Sequence, residues 1–309
     1  MTTGTSKLTS LADLVRDHIH DGETIYVAWF GQNIPFAIGF EILRQKRSKL
    51  ILCRTGADIL FDMLIAAGAV QRVIVGWIGN PGLGLSHSFR RALARRELEV
   101  EESSNFTVLL RLLAGSLGIP FLPTKTLLAG DVAEHLTTAR PIDCPFSGQH
   151  LMAVAALNPD VAIVHAQRAD AAGNIQAWGV LGDSLPGIMA SRRVVATVEE
   201  TVPSTLIQAE PEKTIVPAWR VAAVAHVPVG AHPSYCTGYY DRDDDFYRAY
   251  DDLSRDQSKL TDWLNEHVFG SDDWGGHMRR IGQSRLSELI AAMDAQHGQS
   301  WSGCRDYFG

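Results

Sequence analysis

Apolar runs of strand length alternate with amphipathic stretches of helix length through the first half of the chain. Ser10 stands before "LADLVRDHI" with Asp13 three residues on, and Leu11, Leu14, Val15 and Ile19 share one face, as in a capped helix. "TIYVAWF" then reads as a buried strand and "PFAIGFEILRQ" as a helix with proline at its start. The pattern repeats. Strand "KLILC" precedes helix "DILFDMLIAAGA", strand "RVIVGWI" precedes helix "SFRRALARRE", and strand "LEVEE" precedes helix "FTVLLRLLAGSLG". Strands separated in this way run parallel and are joined by right-handed crossovers, so an α/β fold with an open, doubly wound, mostly parallel sheet is expected.

In the second half, "DVAIVHA", "RRVVATVE" and "VAAVAHVPV" are nearly continuous apolar runs, as expected of central strands covered on both faces. A Pro- and Gly-bearing connection is expected around "RPIDCPFSGQ", a hairpin or edge strand at "GNIQAWG", and a helical tail from Asp243 to about Met293. With no internal repeat and no flexible linker, residues 1–309 are expected to form a single domain. A chain of 309 residues that is 46% hydrophobic and 20% charged can bury a substantial core.

The net charge of −7 argues against nucleic acid as the main ligand, although a local basic pocket for an anion stays open. "MTTGTSKLTSLADLV" lacks the regions of a signal peptide, and Arg111 interrupts the best candidate for a membrane span. Cys53, Cys144, Cys236 and Cys304 form no C-x-x-C pair. Neither a zinc ribbon nor a disulfide framework is expected, and a reducing, cytoplasmic setting is.

The segment "GNPGLGLSHS" at 79–88 follows a strand and opens a helix carrying Arg90, Arg91, Arg95 and Arg96. Ligands of open α/β sheets sit outside the carboxyl ends of the strands, and helix N-termini offer N–H groups to anions. Gly79, Gly82 and Gly84 allow close backbone approach. Their spacing matches neither a dinucleotide fingerprint nor a Walker loop, "GLSHS" lacks the last glycine of a nucleophile elbow, and an ordinary turn is the competing reading. Glu101–Glu102 and Glu199–Glu200 end strands. They suit acid/base or nucleophilic work if burial raises their pKa, and are solvated strand exits otherwise. His165 is a catalyst or a hydrogen-bonded core residue, and the histidines show no helical metal-ligand spacing.

"DDDFYRAY" places three acids before Phe246, Tyr247, Tyr250 and Leu253, which share a helical face. Acids in a first turn cap N–H groups and complement the helix dipole. A calcium loop needs oxygens at defined spacing with a glycine at the turn, and that pattern is absent. The aspartates read as a helix start, and no metal is expected.

Taken with its surroundings, "GAHPSYCTGYYDRDDDF" resembles the α (A) subunit of glutaconate CoA-transferase, among the family I CoA-transferases. "IGFEILRQ", "FDMLIAAGAVQRV", "LGIPFLP", "PDVAIVHAQRADAAGNIQAWG", "VEET" and "IGQSRL" follow in that family's order, covering roughly residues 8–290. The resemblance implies the NagB/RpiA/CoA-transferase-like fold, a β-subunit partner around a shared active site, and coenzyme A as substrate rather than as a resident cofactor. It implies a catalytic glutamate on the β subunit, hence no catalytic residue in this chain. On the "WFGQN" turn, Phe30, Gly31 and Gln32 are expected to shape the acyl side. Asn80, Gly82, Gly84 and Ser86 are expected to offer N–H or hydroxyl donors to a carboxylate or oxyanion, and Asn105 to orient the substrate.

Two departures stand out. Ala28 and Trp29 replace a Gly-Gly pair common in the family, which is expected to reshape the pocket. Asn105 occupies the place of an acid carried by a ring-opening hydrolase branch of steroid breakdown, and an amide cannot act as general base. The expected function is thus the α subunit of a heteromeric CoA-transferase acting on a small dicarboxylic acyl-CoA and a carboxylic acid. The alternatives are a CoA-thioester hydrolase or ring-opening enzyme on the same scaffold, and a non-catalytic CoA- or sugar-phosphate-binding regulator.

Overall fold

The computed structural model describes residues 6–129 and 131–297. Its main sheet carries parallel strands in the spatial order Leu8–Thr9, Val221–His226, Arg193–Thr201, Val161–Ala169, Thr24–Val27, Leu50–Ala57, Val70–Asn80 and Glu99–Glu102. From Thr24–Val27 the chain winds outward one way, and from Val161–Ala169 it winds the other. Those two strands are neighbours, with Ile25 opposite Val161. A strand-order reversal of this kind leaves a crevice at the carboxyl ends, the usual ligand position in such sheets.

Both faces of the sheet are buried, and the side chains divide between them with period two. Ile25, Val27, Val73, Val75, Ile163, Val195, Ala223 and Ala225 enter one core. Tyr26, Ala28, Ile74, Ala162, Val164, Val194, Ala196 and Val224 enter the other. This two-sided burial is why the strands read as continuous apolar runs. "TIYVAWF" leaves the sheet after Val27, because Trp29 and Gly31 (φ 71° and 80°) turn the chain through the left-handed region. Ser10 caps the first helix, its Oγ accepting from the Asp13 N–H at 3.0 Å. "GNIQAWG" forms a hairpin, with Ile175–Gln176 antiparallel to Arg168–Ala169.

One expectation needs correction. "RPIDCPFSGQ" is a hairpin rather than a connection: Ala139–Asp143 and His150–Ala155 pair antiparallel, and Phe121–Thr124 adds a third strand beyond His150–Ala155. Pro123 and Pro141 lie on the two outer strands, where a missing N–H is tolerated, so proline there marks an edge and not a loop. The helix Asn105–Ser116 joins the two sheets. Val108 and Leu112 enter the second core, and Leu110 packs on the small cluster of Leu136, Ala139, Met152 and Val154.

The tail is helical as expected, with Asp244–Ser254, Gln257–Leu264, Trp274–Ile281 and Gln283–His297 covering the first core through Tyr247, Tyr250, Leu260, Leu264, Trp274 and Met278. Asp243 is the N-cap, accepting from the Phe246 N–H at 3.1 Å. It also receives His232 Nε2 at 2.8 Å and Arg285 Nη2 at 2.7 Å. Burial pushes its carboxyl pKa up, but these hydrogen bonds outweigh burial and hold it well below the usual carboxylate range. No helix among the described residues is long and apolar enough to cross a membrane.

Candidate active site at the carboxyl ends of the strands

A cavity of about 590 Å³ opens where the carboxyl ends of the strands meet the C-terminal helices. Four elements from the first half of the chain contribute to it. The turn after Thr24–Val27 supplies Phe30 and Gly31, the end of Leu50–Ala57 supplies Thr55 and Gly56, and the end of Val70–Asn80 with its turn supplies Trp77, Pro81 and Gly82. The start of the helix Asn105–Ser116 supplies Asn105. Gly56 and Trp77 are directly paired across their strands. Gly76 carries no side chain for a visible reason: a Cβ there would lie 2.3 Å from both Asn105 N and Oδ1.

Of the residues expected at the site, Phe30, Gly31, Gly82 and Asn105 line the cavity. The others sit one step back. Gln32 is fully buried, donates to the carbonyls of Val180 (2.9 Å) and Trp178 (3.3 Å), and accepts from Thr237 Oγ1. It thereby holds the loop that brings Val180 and Gly182 to the wall. Asn80 Nδ2 donates to the Tyr247 carbonyl at 3.0 Å and fixes the helix that presents Tyr247 to the cavity. Gly84 pairs with Asn80 in a short hairpin. Ser86 donates to Asp62 Oδ1, which also accepts the N–H groups of Ser88 (2.8 Å) and Phe89 (3.0 Å). The N-terminus of that helix is therefore satisfied by Asp62, not held open for a ligand.

Trp29 also differs from expectation. It is fully buried, donates from Nε1 to the His165 carbonyl at 2.6 Å, and does not line the cavity. Its ring packs in the second core beside Tyr26 and Val164. The paired glutamates split by strand alternation. Glu101 and Glu199 point inward and are buried, whereas Glu102 and Glu200 are exposed. Glu101 pairs with Arg72 and Arg111. Glu199 accepts from His165 Nε2 (2.7 Å), the Tyr240 hydroxyl (2.8 Å) and the Val229 N–H (2.8 Å). His165 is thus a hydrogen-bonded core residue. His165, Glu199 and Cys236 also form a group close enough to share a metal ion. The Glu199 oxygens already take three protein donors, which a metal would have to displace.

The sequence reading missed Thr55, Trp77, Asp183, Tyr235, Arg242 and Tyr247, all on the wall. Asp183 accepts from Thr55 Oγ1 at 2.7 Å. Arg242 donates to the Pro81 carbonyl at 3.0 Å and lies 3.9 Å over the Tyr247 ring. Arg54, behind the wall, was missed too, although a lone arginine inside the apolar "LILCRTGA" is itself a signal.

A family model for coenzyme A transferase matches residues 8–226. The chain belongs to the coenzyme A transferase family. The α (A) subunit of the 3-oxoadipate CoA-transferase of Pseudomonas knackmussii is 36% identical over 91% of this chain and 100% of the relative. The α (A) subunit of the glutaconate CoA-transferase of Acidaminococcus fermentans is 31% identical, covering 92% of this chain and 94% of that protein. The crystal structure of the Acidaminococcus fermentans transferase superposes with a TM-score of 0.86 over 92% of this chain and 95% of the matched chain.

For one subunit of a coenzyme A transferase, the cavity offers shape and hydrogen bonding more than reactive groups. Phe30 and Trp77 meet edge to face at 6.2 Å and form an apolar wall. Asp183 is the carboxylate among the described lining residues, and no glutamate is among them.

Proposed function

We propose that this chain is the α (A) subunit of a heteromeric CoA-transferase, moving CoA between a small dicarboxylic acyl-CoA and a carboxylic acid. The observation that carries the reading is the make-up of the cavity wall. It combines an apolar face, an amide at Asn105 and an Asp183 carboxylate bound to Thr55, and its apolar members Phe30, Trp77 and Val180 remain exposed. Such a wall can seat an acyl chain but lacks a glutamate nucleophile. The partner β subunit supplies one in this reading. The relatives' names, 3-oxoadipate and glutaconate CoA-transferase, support a short dicarboxylic acyl group.

A glutamate oxygen attacks the thioester carbonyl, expelling CoA thiolate and leaving an acyl-glutamyl anhydride. The thiolate then attacks the glutamyl carbonyl, releasing the acyl group as its acid and leaving glutamyl-CoA. An acceptor carboxylate runs the same steps in reverse. A carboxylate is a poor nucleophile unless it is desolvated and its oxyanion is held by placed donors. The role of this chain is to exclude water with Phe30 and Trp77 and to align the acyl group, with the Asn105 amide as a donor. Gln32 and Asn80 hold the cavity-lining loop and helix in place.

The test compares the purified chain alone with the chain co-expressed with its β subunit, using acyl-CoA and acetate and following acetyl-CoA by chromatography. Transfer is expected only from the heteromer. Turnover by the chain alone overturns the heteromeric reading, and CoA release at an equal rate without acceptor assigns hydrolysis instead.

A further inference from the structure

A buried guanidinium without a partner is among the more costly arrangements a fold can hold. Arg54 is one: it is fully buried, and its Nε, Nη1 and Nη2 have no hydrogen-bond partner among the described residues. Its position ties it to the cavity. It precedes Thr55 and Gly56, both on the wall, and its guanidinium carbon lies 5.5 Å from the centroid of the Phe30 ring. Phe30 lines the cavity and is 43% exposed. It packs on Gly56, where a Cβ would lie 3.3 Å from its ring. The cation–π contact offsets part of the cost of burial but supplies no acceptor for the N–H groups.

Arg54 and the buried Asp58 attract each other by charge, but no nearby charged group among the described residues hydrogen-bonds the guanidinium. Arg242, the cation on the wall, donates to the Pro81 carbonyl and lies 3.4 Å from Asp244. Asp58 accepts from the Leu60 N–H and the Tyr247 hydroxyl, and Asp183 accepts from Thr55.

We propose that Arg54 receives the distal carboxylate of the acyl substrate, and that Phe30 is the gate over it. The inference rests on the transferase reading above and names the residue that selects its substrate. A guanidinium offers parallel N–H donors matched to a carboxylate, so a dicarboxylic acyl group entering past a displaced Phe30 completes the pairing the fold leaves unmade. A monocarboxylic chain of equal length gains nothing there and leaves the cation as it is.

The experiment uses the α/β heteromer with acetate as acceptor and compares glutaryl-CoA with valeryl-CoA. The wild type is expected to favour glutaryl-CoA by about 100-fold in kcat/KM, since a site built to pair a polar group discriminates strongly against its absence. Arg54→Met is expected to reduce that preference to a few-fold by losing glutaryl-CoA turnover while keeping valeryl-CoA turnover. An unchanged preference in the variant overturns the proposal. So does a rise in acetate KM that is the same for both donors, because Arg54 would then hold the acceptor instead.

Calorimetry with free glutarate and valerate reads the same selectivity without turnover. Wild-type heteromer that binds both acids equally overturns the proposal, whatever the variants do. If glutarate binds selectively through Arg54 but no CoA moves between any pair of acids, the transferase reading fails and this one stands. Should Arg54→Met not fold, Arg54→Lys keeps the charge without the fork and is expected to retain an intermediate preference. A wild-type preference in the lysine variant also counts against the proposal.

Discussion

Trp29 holds a backbone conformation that suits glycine, with φ at 71°, yet it is fully buried and its indole donates to the His165 carbonyl. Two effects oppose each other when it is replaced by glycine. Relief of the left-handed strain returns about 1–2 kcal/mol, whereas emptying a buried aromatic site costs about 3–5 kcal/mol. Burial wins, so Trp29→Gly is expected to lower unfolding stability by roughly 2 kcal/mol. Its acyl-chain preference should match the parent's. Urea denaturation checks the first part and kcat/KM ratios among acyl-CoAs the second, and an unchanged stability with a shifted preference would place the indole against substrate. The neighbouring residues show what single positions reveal. Phe30, Gly31, Gly82 and Asn105 came from the family resemblance, and they reach the cavity because they follow Thr24–Val27 and the strands two and three places from it, at the same carboxyl edge of the sheet. Asp183 and Tyr235 were not legible, since nothing local marks them and only the closed fold brings them to the wall. Ser86 misled because its hydroxyl and the helix N–H groups behind it are claimed by Asp62, a partner 24 positions away in sequence.

Elements with strong local signals came through, and those whose meaning depends on neighbours did not. The two-sided strands announce themselves by composition, and Asp243 by its place before an amphipathic helix. The hairpin of Ala139–Asp143 with His150–Ala155 was hidden, because an edge strand with proline resembles a loop until its partner is known. The C-terminal helices hold a further feature that no periodicity displays. His277 of the helix Trp274–Ile281 is fully buried among Phe40, Trp263 and Trp274, and neither ring nitrogen has a partner among the described residues. Burial pushes its pKa down to about 2, and the nearby His232, His267, Arg44 and Arg280 push the same way. The unfolded chain takes up this proton near pH 6.5 and the folded chain does not. Stability therefore falls as pH drops below about 6.5, by about 1.4 kcal/mol per pH unit from this group. His277→Phe keeps the aromatic packing and removes the proton site. Its melting temperature is expected to decline less than the parent's between pH 6.5 and 4.5. Below about pH 4, loss of the depressed Asp243 carboxylate should then destabilise both proteins. Parallel curves through the upper window would mean that His277 is not held neutral.

At the scale of the whole molecule, the cavity mouth bears apolar surface that a subunit standing alone has no use for. Phe30, Trp77 and Val180 line it at 43%, 40% and 52% exposure. Leu83 and Phe106, also exposed, are the chain neighbours of lining residues Gly82 and Asn105. Apolar patches concentrated beside a functional cleft mark interaction surfaces, whereas isolated exposed side chains need no explanation. In the proposed heteromer the β subunit covers this rim, which also gives its glutamate the dry setting that nucleophilic attack requires. Substitution at the rim should therefore separate assembly from folding. Leu83 lies in a turn, packs in none of the hydrophobic clusters described above and contributes nothing to the cavity wall. Leu83→Asp is expected to melt within a degree or two of the parent as an isolated chain, as exposed substitutions do. In the heteromer it forces a carboxylate against a desolvated partner surface and should weaken association by about tenfold or more, equivalent to about 1.4 kcal/mol. Sedimentation of the two proteins at graded concentrations measures the loss. Transfer activity should fall in step with the fraction assembled and recover at high β-subunit concentration. Normal association by Leu83→Asp, with Val180→Asp behaving the same way, would move the partner to another face of the molecule.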